Sequence, residues 1–255
     1  MKIQNRLLAL LLTMALSVGV LVSCNNIVPP VDETKKPDYT ANVEIKFSSE
    51  DDKMKEAVAA MSSSAVILSK GEDISVVTTS VSDKANISES YLLSNGMLFH
   101  SLSAKIGDSQ MESLRRARLG DTVREQVITS IGKGATINVK DFATVKNEEA
   151  DDLTVYTCSA IFDESKASLV KIMSVKMANI GASVEISDVQ LVVESRDGLT
   201  AKTTLTTDYV IALGGESYSV TMTVITTYDY ESEISIKFPG DTGAYELVEL
   251  PEIIG

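Results

Sequence analysis

TTLTTDYVIAL-GG-ESYSVTMTV, residues 203–224, is the stretch that decides the fold. Thr203, Leu205, Thr207, Tyr209, Ile211 and Leu213 fall on one side of a period-two pattern. After Gly214-Gly215, Tyr218, Val220, Met222 and Val224 repeat it, with Ser219, Thr221 and Thr223 opposite. Two alternating runs around a two-residue glycine turn predict an antiparallel hairpin with one apolar and one polar face.

The same alternation extends outward. Val184–Val193 and Ile234–Phe238 read as strands, and Arg196-Asp197-Gly198 as a turn. Upstream, Ile74–Val81, Ile87–Leu93, Met97–Ala104 and Gln110–Arg118 read as a meander, with Asn95-Gly96 a strong type I′ signal between two of them. Three segments carry helical spacing instead. Glu50–Met61 places Met54, Val58 and Met61 behind an acidic first turn. Asp121–Ile131 places Val123, Val127, Ile128 and Ile131 in one stripe before Gly132. Glu164–Ile180 spreads Leu169, Ile172, Met173, Val175, Met177 and Ile180 over a broad face. The expected class is therefore α+β: a large antiparallel sheet covered on its apolar face by about three helices.

The first 24 residues carry an address. Lys2 and Arg6 precede an apolar run from Leu7 to Val22, which ends in Leu21-Val22-Ser23-Cys24. The run has the length of a signal-peptide core and is short for a membrane span. The motif resembles the lipobox of bacterial lipoproteins. That resemblance implies cleavage before Cys24 and a diacylglyceryl group on its thiol. The expected plan is a signal peptide over residues 1–23, a tether over 24–41 containing Pro29, Pro30 and Pro37, and one domain over 42–255. The localisation expected from it is extracytoplasmic, with the membrane as partner through the lipid anchor.

Composition narrows the function classes. A net charge of −13 over 255 residues opposes nucleic-acid binding. One His and two Cys leave little for a zinc site or a disulfide scaffold. His100 sits mid-strand without a nucleophile elbow and reads as structural. Cys158 reads as a buried small residue. Glu148-Glu149-Ala150-Asp151-Asp152 lacks the spacing of a calcium loop, and Lys133 in Gly132-Lys133-Gly134 is no phosphate-binding loop. Arg115, Arg116 and Arg118 form the basic cluster; on a strand, Arg116 and Arg118 share a face and Arg115 opposes them. Neither catalytic residues nor metal ligands nor a cofactor are expected.

The lipobox, the early and late helices, the hairpin-linked strands and the segment Tyr228-Asp229-Tyr230…Ile234-Ser235-Ile236-Lys237-Phe238-Pro239 together resemble half-barrel lipoproteins. That group comprises the LolA/LolB carriers, the LppX-type lipoproteins and uncharacterised clostridial-type lipoproteins. The resemblance implies that residues 42–255 form a half-barrel, a large curved sheet wrapped around helices, with a cavity between them that takes acyl chains or another apolar ligand. The residues expected to line it are Leu169, Ile172, Met173 and Met177, since unbranched thioethers adapt to different ligand shapes. The competing expectation is a surface interaction, adhesion or envelope-assembly module with a filled core.

Overall fold

Strand periodicity accounts for most of what the chain becomes. The computed structural model describes residues 38–59, 62–82, 85–120, 137–178, 181–249 and 253. The first half gives β1 (Tyr39–Ser48), α1 (Asp52–Ala59), β2 (Ser63–Lys70), β3 (Asp73–Val81), β4 (Ala85–Ser94), β5 (Met97–Ile106) and β6 (Ser109–Arg118). The second gives β7 (Phe142–Ala150), β8 (Leu153–Ile161), α2 (Asp163–Ala178), β9 (Ala182–Arg196), β10 (Leu199–Leu213), β11 (Glu216–Asp229) and β12 (Glu246–Leu247).

All twelve strands join one sheet, in the order β12-β6-β5-β4-β3-β2-β1-β11-β10-β9-β8-β7. β1 and β11 pair at its centre, Ile45 opposite Val224, and hairpins extend the sheet to either side. Every pairing is antiparallel except β12 with β6. The glycine turns act as their composition requires. Asn95 and Gly96 take φ of 49° and 71° and link Ser94 to its partner Met97. Gly214 and Gly215 take 65° and 89° between the partners Leu213 and Glu216. Two consecutive positive φ values match the right-handed twist of the flanking strands.

Alternation decides burial. Along β1, Ala41, Val43, Ile45 and Phe47 are buried while Asn42, Glu44, Lys46 and Ser48 are exposed. The same inner face carries Val189, Leu191 and Val193 of β9, Leu205, Tyr209 and Ile211 of β10, and Val220, Met222 and Val224 of β11. These belong to one core cluster, which α1 joins through Met54 and Val58 and α2 through Leu169.

The α+β expectation, with about three helices as the cover, does not hold. The fold is a twelve-stranded sheet, and the described residues contain two α-helices, α1 against β1 and α2 against β9. The segment read as the middle helix, Asp121–Ile131, lies outside the described residues. A helix is about 10 Å across, whereas twelve strands at about 4.8 Å spacing span far more. Sheets this wide twist and curl. Ala117 near one flank and Phe142 at the other accordingly enter the same core cluster.

Three local expectations also change. β1 starts at Tyr39, so residues 39–41 belong to the sheet rather than the tether. Ile234–Phe238 forms no strand; it belongs to a strap after β11, held where Lys70 Nζ donates to the Ile234 carbonyl at 2.9 Å. The strap reaches β6 as β12, where the Val248 amide donates to the Arg116 carbonyl at 2.9 Å. β1, β2 and β7 are strands that the sequence reading leaves unassigned; β7 is exposed at every residue except Phe142 and has no inner row to reveal it.

Candidate binding site on the inner face

The inner face is not uniformly apolar. On the β3–β6 flank the inner row of β4 is Ile87, Glu89, Tyr91 and Leu93, and that of β5 is Leu98, His100, Leu102 and Ala104. Tyr91 faces His100 directly and Glu89 faces Leu102, because the Asn95-Gly96 turn sets the register. Ile87 and Ala104 form a small apolar cluster with Leu102, while Tyr91 and Leu98 belong to the main core. Glu89 and His100 therefore form a polar layer between two apolar patches.

The layer is closely bonded. Tyr91 OH donates to Glu89 Oε1 at 2.7 Å, and His100 Nε2 lies 2.9 Å from the same oxygen. The rings of Tyr91 and His100 stack with centroids 4.7 Å apart and 27° between planes. Side-chain exposure is 10% for His100 and 12% for Glu89, so water does little to weaken the pair. Glu89 Oε1 already accepts from Tyr91, so it accepts from His100 as well, and Nε2 bears the proton. His100 Nδ1 is buried without a hydrogen-bond partner.

Arg115 on β6 lies opposite His100, and Thr78 on β3 lies opposite Glu89. Beyond them the inner row of β6 opens. Met111 is 51% exposed, although its register partner Ala104 is buried. A shallow hollow of about 300 Å³ lies at the β4–β5 turn, lined in part by Leu93, Ser94 and Leu119. Further buried hydroxyls without a partner are Ser63, Thr207 and Thr226, on β2, β10 and β11. Thr226 sits in the inner row opposite Val43, and Thr207 opposite Met222.

Burial and the charge of Glu89 push the Tyr91 phenol well above its ordinary range. Burial does the same to Tyr209, whose hydroxyl donates to Met222 Sδ at 3.4 Å. It pushes Tyr230 up to about 12; its hydroxyl donates to the Thr200 carbonyl at 2.9 Å. An unfolded tyrosine ionises near 10. The stability these phenols contribute is fully present below that pH and is lost as pH rises toward their folded values. Equilibrium denaturation should show a clearly lower midpoint at pH 11 than at pH 9; equal midpoints would contradict the burial of these hydroxyls.

The residues singled out from sequence are dispersed. Leu169 is buried in the main core. Ile172, Met173 and Met177 fall within α2, but their side chains lie outside the described set, as do Cys24 and Lys133. Cys158 is buried on β8, and burial raises its thiol. Arg116 and Arg118 share the outer face, opposite to Arg115; Arg116 Nε is buried without a partner. The acidic run ends β7 and turns into β8, with Asp151 at φ 54°. Among the described residues no three His, Cys, Asp or Glu side chains come together. No described helix is long and apolar enough to cross a membrane.

His100 is visible in the sequence as the single histidine, but its partners are not singled out. The signal lies in the turn: a two-residue loop at Asn95-Gly96 makes 94 face 97, hence 91 face 100, with 89 diagonal on the same face. The Glu89–His100 juxtaposition is thus deducible from hairpin register, whereas its burial is not.

No protein-family model and no curated protein matches the chain. Among solved structures, the chain is similar to the ywiB protein from Bacillus subtilis, at 10% identity and a TM-score of 0.24, over 74% of this chain and 92% of that one. A likeness of that size carries no argument about fold family or function.

Proposed function

We propose that the chain is a non-enzymatic lipoprotein, tethered outside the cytoplasmic membrane through Cys24, that binds an amphiphilic ligand against the inner face of its sheet. The observation that carries this reading is the composition of that face. An apolar floor across β1 and β9–β11 continues into the polar layer of Glu89, Tyr91 and His100. An acyl chain that displaces part of this buried packing meets the first, and its headgroup the second. The lipobox-like Leu21-Val22-Ser23-Cys24 supports the tether.

Native mass spectrometry after mild extraction tests the ligand. The expected result is a co-purifying amphiphile, with saturable uptake of an environment-sensitive fluorescent lipid. A protein carrying no lipid and taking up no probe would sink the reading.

One observation favours an interaction or assembly module instead. Val66 and Val77 are register partners on the outer face and are 40% and 39% exposed. Val66→Ser with Val77→Ser should abolish partner capture under that reading and leave lipid uptake unchanged under the first.

A further inference from the structure

Two arginines on the outer face have no acid to pair with, in a chain whose net charge is −13. Arg116 and Arg118 follow one another on the outer row of β6. Among the described residues neither side chain forms an ion pair or a hydrogen bond, and Arg116 Nε is buried without a partner. The nearest acids by register are remote or engaged. Glu112 lies beyond Leu114 on the same row and accepts from Gln110 Nε2 at 3.1 Å. Asp73 lies three strands away, about 14 Å at ordinary strand spacing, and accepts from the Ser94 hydroxyl. Glu249 is engaged elsewhere. A guanidinium fork without a carboxylate is suited to the oxygens of a phosphate.

The register places this pair at the end of the sheet that the tether enters. Tyr39 pairs with Ser69, Ser69 with Ile74, Ile74 with Leu93, Leu93 with Leu98 and Leu98 with Ala117. Tyr39 and Ala117 therefore stand on one level, and Arg116 and Arg118 flank it. A chain from Cys24 to Tyr39 spans at most about 50 Å, so a lipid on Cys24 keeps the body at the bilayer and draws this end toward it. The surface beside the pair is apolar. Leu247, the register partner of Arg116 on β12, is 56% exposed, and Leu114 on the row of Arg116 is 39% exposed. Cations beside exposed apolar side chains suit the boundary between headgroups and acyl chains. On the opposite flank the turns at the same end carry Asp151, Asp152 and Asp197 against Arg196, so anionic lipid attracts the β6 corner alone.

We propose that the β6 corner of this sheet end, with Arg116 and Arg118 at its centre, docks on the phosphates of an anionic bilayer. The inference rests on the tether through Cys24 and adds the orientation that the tether leaves open. One arginine at an anionic surface changes the docked-to-undocked ratio about fivefold, which is about 1 kcal/mol, and the pair changes it about thirtyfold. That is too little to hold a free acidic body on a membrane of like charge. It is enough to orient a body that an anchor already holds there.

The chain has no tryptophan, so Leu247→Trp supplies a single fluorescent reporter beside Arg116. With the lipidated protein in vesicles containing phosphatidylglycerol, brominated lipids should quench the reporter. Quenching should be much weaker in phosphatidylcholine alone or in high salt, and these two comparisons need no arginine variant. Arg116→Gln with Arg118→Gln should lower the docked-to-undocked ratio about thirtyfold, in a protein whose circular dichroism is unchanged. Equal quenching in both lipids, or quenching that survives the glutamine pair in a folded protein, would overturn the docking and leave the tether standing. Mass spectrometry showing an unmodified Cys24 would remove the tether and the docking with it. Loss of quenching on adding millimolar inorganic phosphate at constant ionic strength would assign the arginines to a soluble anion and overturn the lipid surface.

Discussion

Cys24→Ser should move the protein wholly from the membrane fraction to the soluble fraction, or leave it uncleaved, and should abolish labelling by a fatty-acid probe. The argument is additive in chain length. Each buried methylene contributes about 0.8 kcal/mol, one acyl chain binds a bilayer only marginally, and a diacylglyceryl group holds it stably. A serine cannot carry the thioether, so both chains are lost together. The body should be unaffected, because β1 begins only at Tyr39, well beyond Cys24. Unchanged far-ultraviolet circular dichroism of the released protein would confirm this. A Cys24→Ser protein that still took up the fatty-acid label would remove Cys24 as the attachment site.

Ile45→Ala should destabilise the fold by about 2–5 kcal/mol, a large share of the roughly 5–15 kcal/mol available to a domain. Ile45 is fully buried at the centre of the sheet, between Ser63 of β2 and Val224 of β11, where neighbours on both sides prevent collapse into the space left behind. Asn42→Ala is the control. Asn42 lies on the same strand but on the exposed face, and its truncation should change stability by less than about 0.5 kcal/mol. Urea denaturation separates the two. Equal losses would mean that β1 does not present one face to the core, and the sheet register would need revision.

Together these expectations separate two parts of the chain. The proposed address rests on a short linear motif, Leu21–Cys24, outside the described fold. The body depends on alternation over long strands, where one inward methylene group matters more than a whole outward side chain.

The amino-acid sequence by itself determined β3–β6 and β9–β11 and which of their side chains turn inward, because period-two patterning is local: Tyr218, Val220, Met222 and Val224 can bury only together. It determined the hairpin at Asn95-Gly96, since successive positive φ values suit few other residue pairs. It determined both described helices to within a few residues, α1 by Met54 and Val58 and α2 by its acidic start at Asp163 and Glu164. Only the tertiary structure decided what covers the apolar face. The core cluster is continuous from Ala117 on β6 to Phe142 on β7, across strands far apart in the chain, and no single strand carries a signature of that continuity. Only the tertiary structure decided that Ile234–Phe238 straps the sheet instead of joining it, because an apolar alternation reads alike whether or not a neighbouring edge is free. The polar layer lay between these limits. The pairing of Tyr91 with His100 follows from a local turn, but the burial that leaves Nδ1 without a partner depends on distant parts of the same sheet.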